Sequence, residues 1–278
     1  GLGPVASCEP CATLAEDNLQ TEPSLAWLGD RGRLGEDLSE RLRTIPRNRH
    51  AAGSQFYVSL NPQVENPSFD HELAYPSMRV PDGGYQLLTL FRFWNIIEYW
   101  FPYRDVIGEN WDGVLARFVP RIALAKDRPA FQLEVMALVA TVNDTHASLS
   151  AALAVRPPQG ACRVPVLVRF VEGAAVVAGH ADAEAGPVPG LAPGDVLLEL
   201  DGTPVSTLIE RWRPYYAASN EPTRLRDIAR AVMNGPCGQV SLRVQRKGTT
   251  LTIPAARTAR PRTPAPGEYV HDLPGETF

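Results

Sequence analysis

The sequence is poor in several things whose absence narrows what it can be. Among its 278 residues there is no run of roughly 18 uncharged apolar positions, the length a membrane-spanning helix needs. The nearest stretch, Leu87 to Phe101, is interrupted by Arg92, Asn95 and Glu98. Neither sign of charge dominates: 27 basic against 31 acidic residues give a formal net charge of −4, without the clustered basic face that nucleic-acid binding requires. The densest basic run, Arg41 to Arg49, is short and broken by Pro46, as suits a solvated helix end and turn. Histidine is scarce, and none of His50, His71, His146, His180 and His271 has a histidine four residues away, the helical spacing of a metalloprotease. No glycine-rich loop opens a helix to cradle a phosphate. The expectation is a protein with no metal and no cofactor.

Cysteine is sparse too, and its placement matters. Cys8 and Cys11 have the spacing of half a zinc site or of a redox pair. No second close Cys/His pair completes a zinc set, and no strand precedes them as in a redox motif. A local disulfide or two free thiols near a chain end is the plainer reading. Cys162 and Cys237 each stand just before a strand of one module and can pair if those strands are neighbours. An even count so placed leans towards an oxidising compartment. The chain opens on Gly1 rather than Met, as trimming of a signal peptide, or any chosen boundary, would leave it.

A length of 278 residues is comfortable for two domains. Residues 1–80 carry scattered Pro and Gly, one short helix from Leu34 to Leu42 and a strand from Gln55 to Leu60, and read as an N-terminal appendage. Residues 81–157 read as a helical subdomain. Asp82 caps a helix that is apolar almost all round from Leu87 to Phe101, with Gln86, Thr89, Arg92 and Asn95 as a narrow polar stripe; such a helix is expected to be buried on most sides. Pro102 ends it. Trp111, Val114, Leu115, Phe118, Val119 and Ile122 mark one face of a second helix, bent near Pro120. Asp127 and Pro129 open a third, with Phe131, Val135, Leu138, Val139 and Val142 on one face. The three helices are expected to share a core.

After Pro157-Pro158-Gln159-Gly160 the period changes. Val164 to Phe170 and Ala174 to Ala178 read as strands around a Glu172-Gly173 turn. Val196 to Leu200 is a third, closed by Asp201-Gly202. Leu225, Ile228, Ala229 and Val232 give one main helix, and Val240 to Val244 and Leu251 to Ile253 give strands around Lys247-Gly248. Residues 158–257 thus read as a small, partly open β-barrel, and 258–278, rich in Pro, Arg and Thr, as a linker. The fold class is α+β: a helical subdomain followed by this barrel.

The β module from about Cys162 to Arg257 resembles a PDZ domain of the bacterial type. The residues that carry the resemblance are Gly190-Leu191-Ala192-Pro193-Gly194-Asp195, then Val196 to Leu200, then Asp201-Gly202. Such domains bind peptide C-termini by adding a strand to a sheet edge, with backbone amides capturing the carboxylate. The resemblance implies that a peptide lies along Val164, Val166, Leu167 and Val168 and against Leu225 and Ile228. Where the family carries a Gly-apolar-Gly-apolar capture loop, this chain has Arg163-Val164-Pro165-Val166-Leu167, and Pro165 has no amide to donate. The alternative is a spacer or lid.

Taken with FRFWNIIEYWFPY (Phe91 to Tyr103) and NDTHA (Asn143 to Ala147), the chain from about Tyr85 onwards is similar to the C-terminal processing peptidase and tricorn family of serine peptidases. In the tricorn-like branch the catalytic histidine lies just before the PDZ domain, and the matching position is His146. The resemblance implies a general base there: a serine hydroxyl is a poor nucleophile until a neighbouring imidazole takes its proton. In the other branch the base is a lysine of the catalytic core, which leaves His146 a capping or hydrogen-bonded residue. Asp144 either orients His146 or caps its turn, the turn being favoured. Ser148 and Ser150 lie close by, but nothing else completes a local Ser-His-Asp set.

Family members continue past the PDZ domain into an α/β catalytic core, and His271-Asp272-Leu273-Pro274-Gly275 resembles the lead-in to it; this chain ends at Phe278. The expectation is therefore the N-terminal and PDZ portion of a serine endopeptidase acting on unfolded polypeptides outside the cytoplasm (periplasmic, secreted or cell-surface), inactive alone for want of a nucleophile. Its expected partner is a peptide or unfolded polypeptide presenting its C-terminus, with no nucleic acid. The alternative is a non-catalytic PDZ-type peptide-binding adaptor, against which the linker and YVHDLPGETF weigh.

Overall fold

Capping residues set most of the helix starts. The computed structural model describes residues 25–47, 58–64, 66–75, 82–181 and 186–259. The Cys8/Cys11 pair, His50, the first part of the Gln55–Leu60 strand and the tail from 260 onwards, with His271, lie outside them. Where one helix was expected from Leu34 to Leu42, two occur: α1 (Arg31–Leu34), started by Asp30, and α2 (Glu36–Arg47). Gly35, at φ 76°, separates them, since a left-handed residue cannot continue a helix. A two-residue ladder joins β1 (Ser59–Leu60) to β2 (Pro67–Ser68).

The chain divides into two compact units, Gly1–Leu124 and Ala125–Phe278. In the first, α3 (Gly83–Trp100) starts where Asp82 accepts the Gly84 and Tyr85 amides at 3.0 and 3.1 Å. It packs on α4 (Trp111–Ala123), and the two are tied by a reciprocal exchange: each of Trp94 and Trp111 donates its indole N–H to the other's backbone carbonyl, at 2.9 and 3.0 Å. The expectation that α3 is buried on most sides is corrected. Leu90 and Ile97 are buried, together with Gln86 from the supposed polar stripe, while Phe91, Ile96 and Trp100 are exposed. One helical neighbour covers only one face, so apolar content alone overstated the burial. Pro120 lies inside α4.

The second unit begins with α5 (Arg128–Ala140), started by Asp127, whose carboxylate accepts the Ala130 amide. Within this unit α5 packs on the 3-10 turns at Ser150–Val155 and Arg213–Tyr215. The strands are β3 (Cys162–Arg163), β4 (Val166–Val171), β5 (Ala174–His180), β6 (Val196–Leu200) and β7 (Thr203–Pro204). Next come α6 (Val205–Trp212), which the sequence pattern did not reveal, and α7 (Glu221–Ala231). The last strands are β8 (Asn234–Gly235), β9 (Gly238–Arg246) and β10 (Thr249–Ala259). They form one antiparallel sheet in the order β4-β5-β6-β9-β10-β3-β8, with β7 on β6. This curled half-barrel completes an α+β fold.

Turn chemistry fixes the register. Glu172-Gly173, Asp201-Gly202 and Lys247-Gly248 all have both residues at positive φ, the geometry whose twist suits two-residue hairpins. Val164, Val177, Ile228, Val232, Leu242 and Val244 are fully buried in the core beneath the sheet. Cys162 and Cys237 form a disulfide with Cα atoms 4.9 Å apart, at the β3–β8 end of the sheet. Close by, Gly160 is required for space. A Cβ there would stand 1.9 Å from the backbone carbonyl of Gly235.

The phrase Gly190 to Asp195 has a structural explanation. Asp195 is fully buried, and its carboxylate accepts the Ala192 amide at 2.9 Å and a two-pronged pair from Arg246 of β9 at 2.6 and 2.7 Å. The same guanidinium donates to the Gly190 carbonyl. Hydrogen bonding from Arg246 is the main reason the Asp195 carboxyl is held below the usual carboxylate range, against the opposing effect of burial.

Candidate functional site

Two surfaces of the second unit carry chemistry, and α7 borders both. The first is the turn Asn143–His146, which follows α5. Asn143 adopts φ 55°, a left-handed conformation that asparagine tolerates better than most residues. Asp144 then folds the next residues back: one carboxylate oxygen accepts the His146 backbone amide at 2.9 Å and lies 3.2 Å from His146 Nδ1. Capping the turn and orienting the ring, posed as alternatives from sequence, are done by the same oxygen. The ring then presents Nε2 outwards, and the side chain is 96% exposed.

The turn is latched to the loop between α6 and α7. Thr145 donates its amide to Ser219 Oγ at 3.1 Å, Ser219 donates its amide to Thr145 Oγ1 at 3.0 Å, and the two hydroxyls are 3.1 Å apart. Arg224 of α7 donates to Asn143 Oδ1 at 3.2 Å and to the Tyr216 carbonyl at 3.0 Å. Tyr216 is buried beside them, and its hydroxyl donates to the Pro157 carbonyl. Burial is the main reason its phenol is pushed up, which keeps it a donor. Neither Ser148 nor Ser150 hydrogen-bonds to His146 among the described contacts, so these residues do not build a local triad. Ser219 was missed from sequence, although a signal existed: Asn220 is the N-cap of α7, accepting the Thr223 amide, with Pro222 in the first turn, which places Ser219 just ahead of a helix start.

The second surface is a groove of about 590 Å³ between β4 and α7. β4 is the first strand of the sheet and pairs only with β5 among the described residues, so its other edge is open. Of the six positions expected to meet a peptide, Leu167, Val168 and Leu225 line this groove, while Val164, Val166 and Ile228 lie in the core beneath it. Along β4, Val166 and Val168 point inwards and Leu167 and Arg169 outwards, and Val168 belongs to the core as well as to the groove lining. Phe170 and Ala229 add apolar lining, and Arg169, Arg226 and Arg230 stand at the rim. These were not singled out from sequence, though the period of two along β4 marked Arg169 as a neighbour of Leu167.

No group of three or more metal-ligating side chains occurs among the described residues. No family model and no curated protein matches the chain. Among solved structures it is similar to mature CPAF from Chlamydia, at 15% identity and a TM-score of 0.45, covering 64% of this chain and 35% of that one. It is also similar to the HtrA-type protease AlgW with tripeptide, at 23% identity and a TM-score of 0.24, covering 40% and 36%. The structural neighbours are serine proteases. The match spans about a third of the length of each. At these scores the likeness decides nothing about activity, which has to be argued from the two surfaces above.

Proposed function

We propose that this chain is the histidine-bearing and substrate-binding portion of a serine endopeptidase that cleaves unfolded polypeptides outside the cytoplasm, the serine coming from chain beyond these 278 residues. The observation that carries the reading is the Asp144–His146 pair. A carboxylate oxygen at Nδ1 favours the tautomer with a proton there, leaving Nε2 as the acceptor. That acceptor sits on the outside of the half-barrel, where a second domain can bring a hydroxyl to it. His146 would take the serine proton as the hydroxyl attacks the scissile carbonyl and return it to the leaving amine. Asp144 would hold the ring and stabilise the imidazolium. The groove beside β4, a PDZ-type strand-addition site, would deliver the extended polypeptide.

The test uses the parent protein on an unfolded protein substrate. His146→Ala should lower kcat by about 10³-fold or more with the fold retained, and Asp144→Ala by a smaller factor. Undiminished hydrolysis by His146→Ala would assign the base elsewhere, as in the lysine branch. The isolated 278-residue chain should not hydrolyse the substrate at all. A parent with no hydrolytic activity would favour the adaptor reading, for which the open groove is sufficient.

A further inference from the structure

The loop that leads into β4 is built differently from one that captures a carboxylate. Such capture needs successive backbone amides aimed at one point. Here the Val164 amide donates to the Met233 carbonyl at 3.2 Å, Pro165 has none, and the Val166 amide turns back onto the Val164 carbonyl at 2.8 Å. Three successive positions offer a peptide terminus nothing. Pro165 contributes instead as an acceptor, its carbonyl taking the Ala181 amide at 2.9 Å. The groove itself nevertheless persists, with an open strand edge, an apolar lining and a rim of one charge.

That rim is basic. Arg169 projects from β4 and is in no ion pair among the described residues, while Arg226 and Arg230 project from α7. Asp227 pairs with both helix guanidiniums, at 2.9 and 3.3 Å, and so offsets one of the three positive charges. Among the described residues, no carboxylate lines the groove. A strand laid along β4 presents alternate side chains to the lining and to the rim. Apolar residues suit Leu167, Phe170 and Leu225, and acidic residues suit the guanidiniums.

We propose that this groove takes an internal, extended segment of a partner polypeptide in which apolar and acidic residues alternate, paired edge to edge with β4 and without need of a free C-terminus. The proposal rests on the strand-addition reading of the groove and specifies its ligand. It departs from the terminus capture that the sequence resemblance implied.

The experiment is fluorescence anisotropy with the 278-residue chain and a short labelled peptide alternating valine with aspartate or glutamate, acetylated and amidated at its ends. The blocked peptide should bind within about twofold of the same peptide with a free carboxylate, because backbone pairing and not the terminus holds it. A lysine-for-acid version should bind about tenfold more weakly, and the gap should narrow as salt is raised. Arg169→Glu with Arg230→Glu should invert that order, and Leu225→Glu should weaken both peptides. Loss of binding on amidation would overturn the internal-segment proposal and restore terminus capture while leaving the groove reading intact. Equal binding of acidic and basic peptides would overturn the charge assignment. Binding of none, blocked or free, would remove the groove reading itself.

Discussion

The two surfaces bordered by α7 are unequal. Ahead of its N-terminus stands an exposed imidazole with a carboxylate beside it and, among the described residues, no hydroxyl hydrogen-bonded to it. Along its flank stand an open edge, an apolar lining and a charged rim. The difference reflects what each task needs. Recognition of an extended chain needs one continuous surface, which a single half-barrel can build. Covalent chemistry needs groups from separate segments to converge to within hydrogen-bond reach. The two surfaces are joined through a few residues, since Ser219, which holds Thr145, immediately precedes the cap of α7.

Three substitutions test how independent the two surfaces are. Cys162→Ser with Cys237→Ser opens a loop spanning 75 residues and should cost about 4 kcal/mol by the chain-entropy argument. Neither cysteine lines the groove, so acidic-peptide affinity measured on the protein that remains folded should be unchanged. A parallel loss of affinity would show that the bridge supports the groove as well as the sheet.

Asp195→Asn should cost about 2–3 kcal/mol in urea unfolding, less than a wholly buried pair because Arg246 is about one-third exposed. The sign of its pH dependence follows from the lowered carboxyl. The stabilisation is fully present above the ordinary carboxylate range, about pH 4, and is lost as pH falls through the folded-state value. The wild type should therefore lose more stability on acidification below about pH 4 than Asp195→Asn does. Equal slopes would show that the pair is not formed in solution.

Ser219→Ala is the smallest change and the most informative about the link between the surfaces. It removes the acceptor of the Thr145 amide at an exposed position and should cost about 1 kcal/mol or less in stability. In the parent it should lower kcat about tenfold while leaving KM and peptide affinity unchanged, because it loosens the histidine turn and not the groove. An equal change in both would make α7 a shared structural support rather than the border between two functions.

The legible parts were those where one residue type has one physical use. Asp82, Asp127 and the three two-residue turns marked their elements because capping oxygens and left-handed glycines have few substitutes. Cys162 and Cys237 were placed well enough to suggest their pairing. The apolar helix α3 was misjudged because composition reports what a face can bury and not what arrives to cover it. Inward Val166 and outward Leu167 of β4 are both apolar, as are Ile228 and Leu225 of α7, so residue type alone does not separate core from groove. The Thr145–Ser219 latch joins residues 74 apart, so the cap that places Ser219 ahead of α7 does not name its partner.

The most direct test of the central claim is the rate at which a fluorophosphonate acylates a serine in the parent protein, with His146 intact and with His146→Ala. The wild type should be labelled, His146→Ala should be labelled about 10³-fold more slowly, and both should hold the acidic peptide equally well. Equal labelling rates would contradict that claim, leaving His146 as a turn residue and placing the base in another part of the parent.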